Sequence, residues 1–88
     1  MAKYNLKIKT SAMKEIESID SKKDRISIVE KIQSLAENPR GDGAIKLSNQ
    51  EKYRIRQGNY RIVYEIIDEV VEVYVVKVAH RREVYRKR

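Results

Sequence analysis

Between residues 52 and 61 the chain reads KYRIRQGNYR, placing Lys52, Arg54, Arg56 and Arg61 together with no acid among them. Arginine offers a planar fork of N–H donors and keeps its proton at any working pH. Several converging guanidinium groups would therefore bind phosphate oxygens, and a phosphodiester is the expected ligand. A second basic window closes the chain, where Arg81, Arg82, Arg86, Lys87 and Arg88 face only Glu83. The formal charge is +7, and the two windows together exceed it, so the rest of the chain is slightly acidic. The charge is local, and the partner should be anionic.

Aromatic residues stand among these cations. Tyr53, Tyr60, Tyr64 and Tyr85 offer rings on which a base could stack, the usual way single-stranded RNA is held. The first three lie in strand-like runs that claim them for packing, whereas Tyr85 lies in a polar segment with no apolar period. His80 is the single histidine, and imidazole is the one side chain able to exchange a proton near neutrality. Capping a strand end or packing against helices is the preferred role for it, ahead of a catalytic one. Glu51, Glu65 and Glu83 are expected to be solvated or paired with neighbouring arginines. With no cysteine and one histidine, thiolate and histidine-cluster metal sites are excluded, and neither metal nor cofactor is expected.

The elements that must hold these residues follow from periodicity. YNLKIKT alternates as a half-buried strand does, with Tyr4, Leu6 and Ile8 on one side. Thr10 or Ser11 is expected to cap a helix carrying Ala12, Met13, Ile16 and Ile19. Ser21 followed by Asp24 opens a second, with an apolar stripe of Ile28, Val29, Ile32, Leu35 and Ala36. Pro39 and the glycines of NPRGDG stop it. Strands come next, weakly from Ala44 to Leu47 and strongly from Tyr53. Gly58-Asn59 is a two-residue hairpin loop of the primed type, and Asp68-Glu69 a second tight turn. HRREVYRKR reads as a last helical turn or a docked basic tail.

At 88 residues this is one domain, residues 1–88, with a thin core. The order β-α-α-β-β-β, with room for one more strand, gives an α+β fold: two N-terminal helices on one face of a small, mainly antiparallel sheet, then a short basic C-terminal segment. Ile55, Ile62, Tyr64 and Ile66 should lie under the helices, and Arg54, Arg56 and Arg61 on the opposite face. No apolar leader or membrane-length run is visible, so a soluble, cytoplasmic protein is expected.

The stretches KLSNQEKYRIRQGNYRIVYEI and VVKVAHRREVY resemble the RelE/ParE superfamily of toxin–antitoxin toxins, RelE-like branch, over nearly the whole chain. The resemblance implies the same α+β fold. It also implies a metal-independent endoribonuclease that enters the ribosomal A site and cuts messenger RNA by attack of the 2′-hydroxyl on the adjacent phosphate. By position, Arg54 and Arg56 fall where the RelE branch has two lysines, one assigned to activating the nucleophile and one to stabilising charge. Arg61 matches the arginine that steadies the phosphorane, Arg81 the one assigned to the leaving oxygen, and Tyr85 the tyrosine stacked on the base. Lys52, Arg82 and His80 would be further RNA contacts. The departure is at the general base, because a guanidinium is a poor proton acceptor and Arg54 should bind rather than deprotonate. The implied partners are an acidic antitoxin, messenger RNA and the ribosome, with no membrane. Two alternatives share the fold: a ParE-like inhibitor of DNA gyrase, and a non-catalytic RNA-binding module.

Overall fold

The computed structural model describes residues 3–47 and 51–80. Its elements are β1 (Asn5–Ile8), α1 (Thr10–Glu17), α2 (Lys22–Ser34), β2 (Ile45–Leu47), β3 (Lys52–Gln57), β4 (Tyr60–Ile67) and β5 (Glu72–His80). The strands form one sheet in the order β1-β5-β4-β3-β2. β2, β3, β4 and β5 are antiparallel to their neighbours in turn, and β1 joins the far edge parallel to β5. The expected α+β architecture is therefore present, with a single parallel pairing added.

Parity sorts the sheet. Tyr53 and Ile55 of β3, Ile62, Tyr64 and Ile66 of β4, and Val73, Val75 and Val78 of β5 are buried with Ala12, Ile16, Ile28, Ile32 and Leu35 from the helical segment. Each large aliphatic side chain so buried contributes about 1.5–3 kcal/mol. Both helices lie on that face, as their apolar spacing requires.

Local chemistry matches some expectations and corrects others. Ser21 caps α2, its side-chain oxygen accepting from Asp24 N–H at 3.2 Å. No side chain caps α1: Lys9 holds the cap position and Thr10 is already helical, so neither Thr10 nor Ser11 can serve. Met13 and Val29 stay 41% and 39% exposed, because two helices over a five-stranded sheet turn only part of each apolar stripe inward. Gln57 pairs with Tyr60, giving the two-residue loop at Gly58-Asn59. Only Gly58 takes positive φ there, 61°, which suits the primed turn with glycine first. The link after β4 is longer than Asp68-Glu69. It is a single 3-10 turn, Asp68–Val70, followed by Val71 at φ 53°.

That turn is tied at its first residue, Asp68. The Tyr4 hydroxyl donates to Asp68 Oδ1 at 2.9 Å, and Arg40 Nη2 reaches Asp68 Oδ2 at 3.0 Å. Arg40 also donates through Nε to the Tyr53 hydroxyl at 3.1 Å and lies over the Tyr53 ring. Tyr53 stacks on Tyr64, ring centroids 5.9 Å apart, and the buried Tyr64 hydroxyl donates to the Pro39 carbonyl at 2.7 Å. Burial, reinforced by Tyr53, pushes the Tyr64 phenol up to about 12. The Arg40 guanidinium, helped by Tyr4, holds the Asp68 carboxyl below its ordinary range. One loop, β1 and the end of β4 are thus joined through Arg40 and Asp68.

Two stability predictions arise here. The native Asp68 carboxyl titrates below its unfolded counterpart, so its stabilising contribution is present above the unfolded pKa of about 3.9. It is lost as pH falls through the lower native value. Melting temperatures from pH 5 to pH 2 should fall less steeply for Asp68→Asn than for wild type below about pH 4, and parallel curves would show that Asp68 does not take part. Val71 is a β-branched residue in the left-handed region, a conformation costing about 1–2 kcal/mol that asparagine tolerates. Val71→Asn should raise the melting temperature by about 4–8 °C; a fall would mean that the exposed valine packs better than its backbone strain costs.

Candidate nucleic-acid interface

The face away from the helices is built by residues of the other parity. β3 contributes Lys52, Arg54 and Arg56, spaced two residues or about 6.6 Å apart along the strand. β4 contributes Arg61, Val63, Glu65 and Ile67. Register then decides which cations meet. Arg56 lies directly opposite Arg61, Arg54 opposite Val63, and Lys52 opposite Glu65. Across β4, Arg61 is opposite the small Ala79.

The arrangement puts like charges in a cross-strand pair. Directly opposite residues have Cβ atoms about 4.5–5.5 Å apart, and equal charges there are destabilising. The tight loop at Gly58 fixes this register, so the chain holds Arg56 and Arg61 together at an electrostatic cost. Arg56 is exposed and has no acidic partner among the described residues, while Arg54 and Arg61 are half-buried and Arg61 Nε is enclosed from solvent. Further along the face the charges cancel: Lys52 lies 3.9 Å from Glu65, and Lys7 lies 3.7 Å from Glu72. The net positive end of the sheet is the end that carries Arg54, Arg56 and Arg61.

A β-bulge shapes that end. Val63 is opposite Lys77 and Tyr64 opposite Val75, so Val76 is an extra residue in β5. The alternation of β5 reverses there. Val78 and His80 fall on the helix side, and Ala79 falls on the arginine side. His80 is therefore across the sheet from the arginines, its ring edge-on to Tyr60 with centroids 5.1 Å apart. It lines a polar cleft with Glu15, Ser18, Asp20, Ser21 and Tyr60. His80 packs on Tyr60 there, and the RNA contact expected of it does not lie on the arginine side of the sheet. Tyr53, Tyr60 and Tyr64 also lie on the helix side and serve packing. Arg81, Arg82, Tyr85 and the rest of the basic tail lie outside the described residues. Among the described residues, no three of His, Asp and Glu converge as a metal site would need.

One residue of this face was missed in the sequence reading. Tyr74 lies opposite Glu65 and beside Lys7, half-buried on the side away from the helices. Its place was readable in principle, since Tyr74 shares parity with the polar Glu72. It is the one tyrosine ring among the described residues of β3, β4 and β5 that belongs to the open face.

Comparison with known proteins fits this geometry. The family described as the ParE toxin of type II toxin–antitoxin systems matches residues 6–85. Among solved structures, isolated RelE toxin from E. coli superposes with a TM-score of 0.77 at 27% identity, covering 94% of this chain and 97% of that one. An arginine-substituted E. coli RelE bound to a peptide of its antitoxin RelB gives a TM-score of 0.74 at 32% identity, covering 98% and 93%. The archaeal RelE–RelB complex from Pyrococcus horikoshii gives 0.77 at 21% identity, covering 90% and 96%, a likeness of fold. Comparison with curated protein sequences returns no significant match. The chain belongs to the RelE/ParE superfamily, the toxins of type II toxin–antitoxin systems.

Proposed function

We propose that this toxin is a ribosome-dependent endoribonuclease of the RelE type, which binds messenger RNA across the arginine end of its open sheet face and cuts it in the A site. The observation that carries the reading is the cross-strand pair of Arg56 and Arg61 with Arg54 beside it. A fold that holds equal charges in register gains most when an anion sits between them, and a phosphodiester offers oxygens to both forks. In the reaction, the 2′-hydroxyl oxygen bonds to the adjacent phosphorus and the 5′-oxygen departs. Arg54 and Arg56 grip the non-bridging oxygens, Arg61 neutralises the phosphorane, and Arg81 stabilises the leaving oxygen. Tyr85 stacks on the base, and Lys52 and Arg82 hold neighbouring phosphates. No step assigns proton abstraction to Arg54, because preorganised positive charge is commonly the largest single contribution to such catalysis. His80, across the sheet, enters as a packing residue.

The toxin acts in the cytoplasm and is neutralised by an acidic antitoxin that covers the basic face, an encounter steered by opposite charge. Complexes of E. coli, mycobacterial and archaeal RelE relatives with their RelB partners support this pairing. A second reading, inhibition of DNA gyrase, is favoured by the ParE description of the matching family. Added to a translation reaction, the protein should produce messenger cuts at A-site codons. Gyrase-dependent DNA breakage without such cuts would establish the second reading instead.

Three variants test the roles. Arg56→Ala should lower cleavage about 10²-fold or more while changing stability by less than about 0.5 kcal/mol, because its side chain is exposed. A marked loss of melting temperature would make Arg56 structural. Tyr85→Phe should keep most of the cleavage and Tyr85→Ala lose it, since stacking needs only the ring; equal losses would reject stacking. At constant ionic strength, replacing chloride by phosphate should raise the wild-type melting temperature by a few degrees, roughly that expected for 1 kcal/mol of ligand stabilisation. The double variant Arg56→Ala, Arg61→Ala should show no such rise, and an equal rise in both proteins would place the anion elsewhere.

A further inference from the structure

Strand β5 runs past its parallel neighbour. Pairing of β1 with β5 ends at Ile8 opposite Val75, closed by Lys9 N–H donating to the Val75 carbonyl at 2.8 Å. From Val76 onward no strand lies on the outer edge of β5 among the described residues. The bulge begins at that same residue. A strand edge without a partner, just past an inserted residue, has its phase held by one neighbour only, and a slip of one residue would send every side chain to the other face.

Glu15 of α1 occupies this edge. Its Oε1 accepts from Val78 N–H at 2.8 Å, and its Oε2 accepts from Lys77 Nζ at 2.8 Å. Both contacts are charge-assisted, and together they grip the two residues that follow the inserted Val76. In the slipped phase the amide offered to this edge would belong to a different residue, so the carboxylate selects one phase over the other. The phase it selects sets Ala79 opposite Arg61 and His80 opposite Tyr60, immediately before the chain continues into Arg81. Glu15 touches none of the arginines on the open face.

We propose that Glu15 is a positioning residue for β5: by holding Lys77 and Val78 it sets the phase of the strand after its bulge, and with it Ala79 opposite Arg61 on the arginine face. The functional half rests on the ribonuclease reading; the structural half stands without it. The Glu15 side chain is 31% exposed, and water can reach a strand edge, so truncation need not orphan the Val78 amide.

The test compares Glu15→Ala with Glu15→Gln in the full chain. Glutamine keeps an acceptor for Val78 and gives up the ion pair with Lys77. In Glu15→Ala, amide hydrogen exchange over residues 77–80 should quicken about tenfold or more while Val73 and Val75 keep wild-type rates. Messenger cleavage should fall about tenfold or more, and the phosphate-induced rise in melting temperature should persist, because Arg54, Arg56 and Arg61 stay on β3 and β4. Glu15→Gln should restore most of the protection and most of the cleavage. Wild-type exchange over 77–80 in Glu15→Ala would overturn the proposal, as would wild-type cleavage, or a glutamine variant no better than the alanine one. Should the wild-type protein cut no messenger, the ribonuclease reading fails by itself, and the exchange rates alone decide whether Glu15 holds the strand.

Discussion

A sheet covered by helices on one side only must send alternate residues to water, and this constraint organises the whole molecule. Once Ile55, Ile62, Tyr64 and Ile66 are drawn under α1 and α2, the residues between them have no choice of face. Arg54, Arg56 and Arg61 are carried outward by the burial of their neighbours. The apolar core therefore supplies the binding energy that holds equal charges opposite one another. The cationic end of the sheet exists because the other face is well packed.

The cost of that arrangement is contained by the rest of the face. Lys52 with Glu65 and Lys7 with Glu72 neutralise the far end, so repulsion is confined to the hairpin tip at Gly58. At the opposite end of β4, the Arg40 and Asp68 network ties β1, the loop after α2 and the 3-10 turn together. One end of the sheet is thus closed by satisfied polar contacts and the other presents charge. Electrostatic steering of an anionic partner is strongest toward the end where basic side chains cluster.

Much of this was legible in the sequence. The strand and helix periods, the Ser21 cap and the Gly58-Asn59 loop all follow from local rules, and the hairpin alone predicts the outward placement of Arg54, Arg56 and Arg61. What could not be read has non-local causes. The bulge at Val76 falls at the Val75-Val76 doublet of VEVYVVKVA, where the strand can be phased either from Glu72 or from Lys77 and only pairing with β4 decides. Its consequence, Ala79 opposite Arg61 and His80 opposite Tyr60, follows from that pairing. Likewise Val71, at positive φ, accepts from the Asn5 amide at the start of the parallel β1–β5 contact, a pairing between segments far apart in sequence. Val29 and Met13 fit a helical stripe but lie beyond the width that the sheet can cover.

In the proposed function a phosphodiester strand lies across β3 and β4 at Arg54, Arg56 and Arg61. Amide chemical-shift mapping with a short RNA made uncleavable by a 2′-deoxy sugar at the scissile position tests it without relying on turnover. Perturbations should concentrate at residues 54–61 and at Ala79, weakening as salt rises because phosphate contacts carry the affinity. Perturbations confined to α1 and α2, or none at an RNA concentration that saturates other single-strand binders, would contradict it.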